Sequence, residues 1–161
     1  MALDFMVFNL YIYSMFYFFS GISAVLTNLT MGLITFKKGR KKPINILYLL
    51  FSIFFTLYIV ARLFTFSTNS QVAYYFDYFM SDLFKASGFA WFYSLCRGYD
   101  KRKVSILYTT GLLIGIGAPI NYFFFKNLLG IWLNVHILFG LFIIFYGLFV
   151  LAKASIMVPI I

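Results

Sequence analysis

Asp82 and Lys85 stand three residues apart in a stretch otherwise dominated by apolar and aromatic side chains. On a helix that spacing puts both on one face, close enough to meet. An acid deep inside a hydrocarbon layer costs a few kcal/mol, so such a group handles ions or protons or is neutralised by a partner. Both readings stand for Asp82 and Lys85, since the lysine stem can also reach toward the cytoplasmic face. A second set, Arg62, Asp77, Asn121 and His136, falls on four apolar stretches, Asp77 on the same one as Asp82 and Lys85. Counting about 1.5 Å per residue from the outer end of each stretch places these four roughly 6–8 Å below the boundary. They read as a shallow outer polar layer, with Arg62 and Asp77 as the natural ion pair. The functional reading is a site for a small ligand or ion. The structural one is snorkelling and hydrogen bonding between helices.

Other chemistry is constrained by what the sequence supplies. It has one cysteine, Cys96, and one histidine, His136, and its four acids are all aspartate: Asp4, Asp77, Asp82 and Asp100. One cysteine allows no intrachain disulfide. One histidine allows neither bis-His haem ligation nor a His-x-x-x-His zinc site within the chain. No paired nucleophile and base and no phosphate-cradling loop are evident. Gly115-Ile116-Gly117 lacks the preceding strand and the following acid of a dinucleotide loop. We therefore expect no catalytic, cofactor-binding or metal-ligating residues, and no enzyme working by itself. Cys96, at the end of an apolar stretch, is a possible acylation site, and His136 could titrate near neutral pH.

The elements that position these groups follow from hydropathy. Of 161 residues, 63% are hydrophobic, 24% aromatic and only 11% charged, and the mean hydropathy is +0.94. A globule of this size has too little interior to hide that much apolar surface. Disordered chains are poor in aromatics, so disorder is excluded as well. The solvent that fits is the lipid bilayer. About 20 apolar residues cross its 30 Å core, and five stretches qualify: 10–35, 44–66, 72–95, 104–125 and 131–152. The expected fold is an all-α bundle of five transmembrane helices in one domain, 1–161. The third stretch is the weakest, because it carries Asp77, Asp82 and Lys85.

The charge is +9, from 13 Lys and Arg against four acids. Ten of the 13 lie in the loops 37–42 and 97–103 or at Lys153. Basic loops mark the cytoplasmic side, which gives N-terminus out and C-terminus in. That pattern argues for a membrane surface rather than nucleic acid. The first cation is Lys37, so no basic region precedes the first apolar stretch, and that stretch is expected to remain as a span. No soluble domain is expected before or after the bundle.

Helices in lipid associate through small residues. Gly21, Ala24, Asn28 and Gly32 form one stripe, Gly111 and Gly115 a GxxxG pair extended by Ala118 and Tyr122, and His136, Gly140 and Gly147 a third. These faces serve either packing within the chain or contact with a partner subunit or second copy. Pro119 should kink the fourth helix. The sequon Asn28-Leu29-Thr30 falls within a span and is not read as glycosylated. Tyr11, Tyr13, Tyr17, Tyr74, Tyr75 and Tyr78 gather near the outer boundary, as belt tyrosines do. Codon bias toward Phe, Tyr, Ile and Lys accounts for aromatic richness as well as a ligand would.

The segment Thr35–Phe66 joins a span, Lys41-Lys42-Pro43-Ile44-Asn45 and an aromatic-rich span. It resembles the start of the multi-pass sensor region found at the front of some membrane histidine kinases. That region usually has seven spans and precedes a kinase domain; this sequence has five and none. Asn134–Gly140 is similar to a late helix of terminal-oxidase subunit III, without the acids of that family. The sequence reading therefore holds two functions: a non-enzymatic subunit of a larger membrane complex, held by the glycine faces, or a sensing or small-solute transport bundle using the polar groups.

Overall fold

In the computed structural model the chain is described over residues 2–68, 70–125 and 129–156, with side chains described from Met15 to Ala154, except at Ala118, Asn121, Tyr122 and Leu129 within the helices. It is all-helical over these residues, with α1 Ala2–Lys38, α2 Pro43–Thr68, α3 Gln71–Arg97, α4 Lys101–Phe124 and α5 Leu129–Ile156. Each expected span lies inside one helix, save for Phe125, which falls just past α4. α1 starts eight residues before its span. α2 begins at Pro43, whose fixed φ suits a first turn. The connection before it is held by the Asn45 side-chain amide, which donates to the Gly39 carbonyl at 3.2 Å.

The turn between α3 and α4 is set by two residues. Gly98 adopts φ 86°, and its N–H caps α3 on the Ser94 carbonyl at 3.0 Å. An L side chain at that φ would be strained. Two residues on, the Asp100 carboxylate accepts from the backbone N–H groups of Arg102 and Lys103, at 3.0 and 3.3 Å. This caps α4 at its N-terminus.

α3 is the central helix, packed against α2, α4 and α5, while α1 packs on α2 alone among the described residues. Asp77, Asp82, Ser87 and Ser94 of α3 are all buried. α1, α2 and α5 instead turn Phe, Leu and Ile outward, with Phe16, Phe64 and Phe145 each more than half exposed. Polar groups inside and apolar groups outside is the arrangement that a hydrocarbon surround favours.

Three helical segments, Met15–Lys38, Pro43–Thr68 and Gly130–Ala154, are long and apolar enough to cross a membrane. α3 and α4 are not among them by composition. For α3 the cause is the polar set just named. It faces neighbouring helices, and the exposed large apolar side chains of this helix, among the described residues, are Val72, Tyr74, Phe76 and Leu95.

The side-chain contacts fix the directions. Gly32 lies against Ser52 and Gly21 against Ile59 and Leu63, so α1 and α2 are antiparallel. Arg62 meets Asp77, and Phe51 meets Phe84 and Trp91, so α2 and α3 are antiparallel too. Gly111 lies against Ala86 and Gly115 against Phe79, which makes α4 antiparallel to α3. His136 meets Asp82 and Gly147 meets Phe89, so α5 runs parallel to α3. The ends of α1, α3 and α5 and the starts of α2 and α4 therefore share one end of the bundle. The loop residues 37–42 and 97–103, with Lys153, gather there.

The glycines face neighbours within the chain. A Cβ at Gly111 would lie 2.6 Å from the Ala86 Cβ and 3.1 Å from the Asp82 carbonyl oxygen. At Gly115 it would lie 2.9 Å from the Phe79 ring and 3.2 Å from that residue's carbonyl oxygen. At Gly32 it would lie 2.6 Å from the Ser52 hydroxyl. Gly117 seats the Trp132 indole, whose Nε1 donates to the Ile114 carbonyl at 2.9 Å. That carbonyl precedes the one that Pro119 leaves without its helical donor, and α4 continues through Pro119.

Candidate functional site

α3 and α5 meet at a closed ring of three ionisable side chains. Asp82, 1% exposed, stands 3.3 Å from Lys85 Nζ through Oδ1 and 2.9 Å from His136 Nδ1 through Oδ2. Lys85 Nζ in turn stands 3.0 Å from His136 Nε2. Helix geometry accounts for the first contact, since residues three apart share a face. The other two require α5 to present His136 at the level of Asp82. Gly140, one turn on from His136, faces Lys85, and a Cβ there would make an ordinary contact, 3.8 Å from Nζ. The Tyr78 ring lies edge-on to the imidazole at 4.6 Å, and its hydroxyl bonds that of Tyr74 at 2.8 Å.

The donor inventory sets the protons. An ammonium can only donate, so a charged Lys85 requires Nε2 of His136 to accept. The imidazole proton then sits on Nδ1 and is donated to Asp82. In that state one cation and one anion flank a neutral ring, which makes the burial of Asp82 affordable. The same geometry supports a relay. A proton passing from Lys85 Nζ to Nε2 while Nδ1 gives its proton to Asp82 leaves a neutral amine, a neutral imidazole of the other tautomer and a carboxylic acid. One proton enters the ring as another leaves it.

A second pair joins α3 to α2. Arg62 Nη1 stands 2.7 Å from Asp77 Oδ2, joining α2 to α3. The aspartate side chain is 2% exposed and the arginine 40%. The guanidinium also lies over the Phe66 ring, 5.6 Å from its centre. Oδ1 of Asp77 is buried with no hydrogen-bond partner among the described residues.

The polar residues thus regroup. His136, assigned by depth to the shallow layer, belongs with Asp82 and Lys85. Arg62 and Asp77 form a separate pair, and the Asn121 side chain lies outside the described residues. Counting from span ends did not join His136 to Asp82, because helical side chains lean toward the N-terminus and Asp82 and Lys85 reach back to an imidazole that packs on Tyr78. Tyr75 is buried, and the Tyr78 ring packs on His136. The side chains of Tyr11 and Tyr13 also lie outside the described residues. Tyr78, Trp132 and Ser52 carry no signal in the sequence that marks them as packing partners of His136, Gly117 and Gly32.

Fold and site together define a helical bundle with three helices long and apolar enough to span a membrane and a buried charge cluster. Comparison of the chain with protein-family models, with curated proteins and with solved structures finds no match. The resemblance of Thr35–Phe66 to histidine-kinase sensor regions therefore has no family match behind it.

Proposed function

We propose that this chain is a multi-pass membrane protein that handles protons through Asp82, His136 and Lys85, as a sensing or transport bundle. The observation that carries the reading is the placement of one imidazole between a buried carboxylate and an ammonium on two helices. All five helices cross the bilayer in this reading, with loops 37–42 and 97–103 on the cytoplasmic or equivalent inner side. The inward turn of the polar face of α3 and the outward Leu112, Leu113, Ile116, Ile120, Phe123 and Phe124 of α4 support it. The protein is not an enzyme in this reading and uses no cofactor or metal.

The test is proton uptake by the protein reconstituted in liposomes, followed with an entrapped pH dye after an external acid step. Wild type is expected to take up protons. Asp82→Asn and Lys85→Met are expected to abolish the response while the helical circular dichroism stays intact. Wild-type liposomes indistinguishable from empty ones would sink the reading.

A second reading, a subunit of a larger complex or a homo-oligomer, is favoured by one observation. α1 and α2 leave an open groove of about 540 Å³, lined by Ser20, Ser23, Thr27, Asn28, Tyr48 and Phe51 among others. The glycine faces give it less support than the sequence suggests, because they are filled within the chain.

A further inference from the structure

The two charge clusters leave one donor and one acceptor unmatched. Lys85 carries three N–H donors. Asp82 Oδ1 and His136 Nε2 take two of them, and no third acceptor is found among the described residues. Asp77 Oδ1 is buried and has no donor among the described residues. Eight residues separate Asp77 from Lys85, about 12 Å along the helix axis. Helical side chains lean toward the N-terminus, so the lysine reaches back toward Asp77, as its contact with Asp82 already shows. Asp77 is within electrostatic range of both Lys85 and His136. Buried polar groups are satisfied by protein or by ordered water, and a buried carboxylate oxygen is among the costliest to leave bare.

We infer that a short file of water, or its protonated form, runs from the third Lys85 N–H to Asp77 Oδ1 and joins the two clusters into one proton circuit. The circuit opens at the half-exposed Arg62. It rests on the proton-handling reading and adds Asp77 to it as the entry group. The proton path balances at each step. A proton arriving on Asp77 neutralises its carboxylate. Lys85 first passes a proton to His136 Nε2 while Nδ1 gives its own to Asp82, which leaves an amine with a lone pair on Nζ. The file then takes the Asp77 proton and delivers one to that amine, restoring the carboxylate that holds Arg62. Among the described residues, the other titratable groups along this line are Tyr17 from α1, Tyr58 and Arg62 from α2, Tyr74 and Tyr78 from α3 and His136 from α5.

Infrared difference spectroscopy across a pH step, on the protein in lipid, tests this in ordinary and in heavy-oxygen water. Wild type is expected to show a water O–H band that moves with the oxygen isotope. That band is expected to be lost in Asp77→Asn and, separately, in Lys85→Met. If Asp77→Asn fails to fold with Arg62 left unpaired, Asp77→Asn with Arg62→Met takes its place. A band that survives either substitution, or no such band in wild type, overturns the inference. So does a wild-type band displaced by sodium in place of choline at constant pH, which would put a metal cation where we place water. Dye-detected proton uptake by the same samples separates the two claims. No uptake by wild type defeats the proton-handling reading, whereas normal uptake by Asp77→Asn with an unaltered water band defeats only the link.

Discussion

At the scale of single residues, the Arg62–Asp77 pair is where removal of one partner should cost most. Asp77 is almost wholly buried, while Arg62 reaches the surface. Breaking a buried pair leaves an uncompensated charge, typically about 3–5 kcal/mol, while replacing both partners is often close to neutral. Arg62→Met should therefore destabilise the protein by about 3 kcal/mol in a reversible detergent-unfolding titration. Asp77→Asn added to it should recover most of that loss, so that the double-mutant cycle gives a coupling well above experimental error. Additive losses would show that the pair contributes little. The pair itself was legible: a short link joins two helices, and one cation and one anion lie at similar distances from it. The contact of His136 with Asp82 was not, because nothing in the residues of α3 or α5 states how far one slides past the other. The bare oxygen of Asp77 was also hidden, since hydrogen-bond accounting needs the side chains in place.

At the scale of helices, the glycines of α4 decide how closely it approaches α3. Gly111 lies against the Ala86 methyl and the Asp82 carbonyl, and neither can swing aside as a long side chain can. Overpacking a fitted contact costs about 1–3 kcal/mol. Gly111→Leu should fall at the upper end and should also disturb the Asp82 ring, because the carbonyl it strikes belongs to that residue. Nitrogen NMR of the lone histidine would register this as an altered His136 spectrum, whereas an unchanged spectrum with lowered stability would confine the effect to packing. Gly115→Leu strikes Phe79 within the same chain, so loss of a partner subunit on that substitution would report on the fold before it reported on assembly. The sequence marked these glycine faces as contact surfaces, yet it could not say which helix each would meet, since a small-residue stripe has no address. Helix existence was the most legible feature, because five apolar stretches separated by charged or polar links leave few alternatives. The turn at Gly98 and the cap at Asp100 were less so: Asp100 reads as one charge among several in a basic loop until its carboxylate is seen on two backbone N–H groups.

At the scale of the whole molecule, the arrangement of directions makes a labelling prediction. Single cysteines at positions near 40, near 100 and at 153, in a Cys96→Ser background, should all react with a membrane-impermeant thiol reagent from the same side of intact cells. A cysteine near position 69 should react from the other side. Labelling of positions 40 and 100 from opposite sides would exclude the five-span reading, as three apolar helices alone do not require it. Orientation with the basic end inward rests on the positive-inside rule and is read from the same experiment.

The buried ring of Asp82, Lys85 and His136 also bears on how the chain is made. Its imidazole comes from α5, so during synthesis α3 is complete before the third member of the ring exists. For that interval, among the described residues, Asp82 has its neighbour Lys85, and Asp77 has Arg62 from the helix just before it. The helices α1 to α4 can pack in the meantime, but a ribosome product cut short before residue 136 would present quality-control proteases with an acid that has lost one of its two partners.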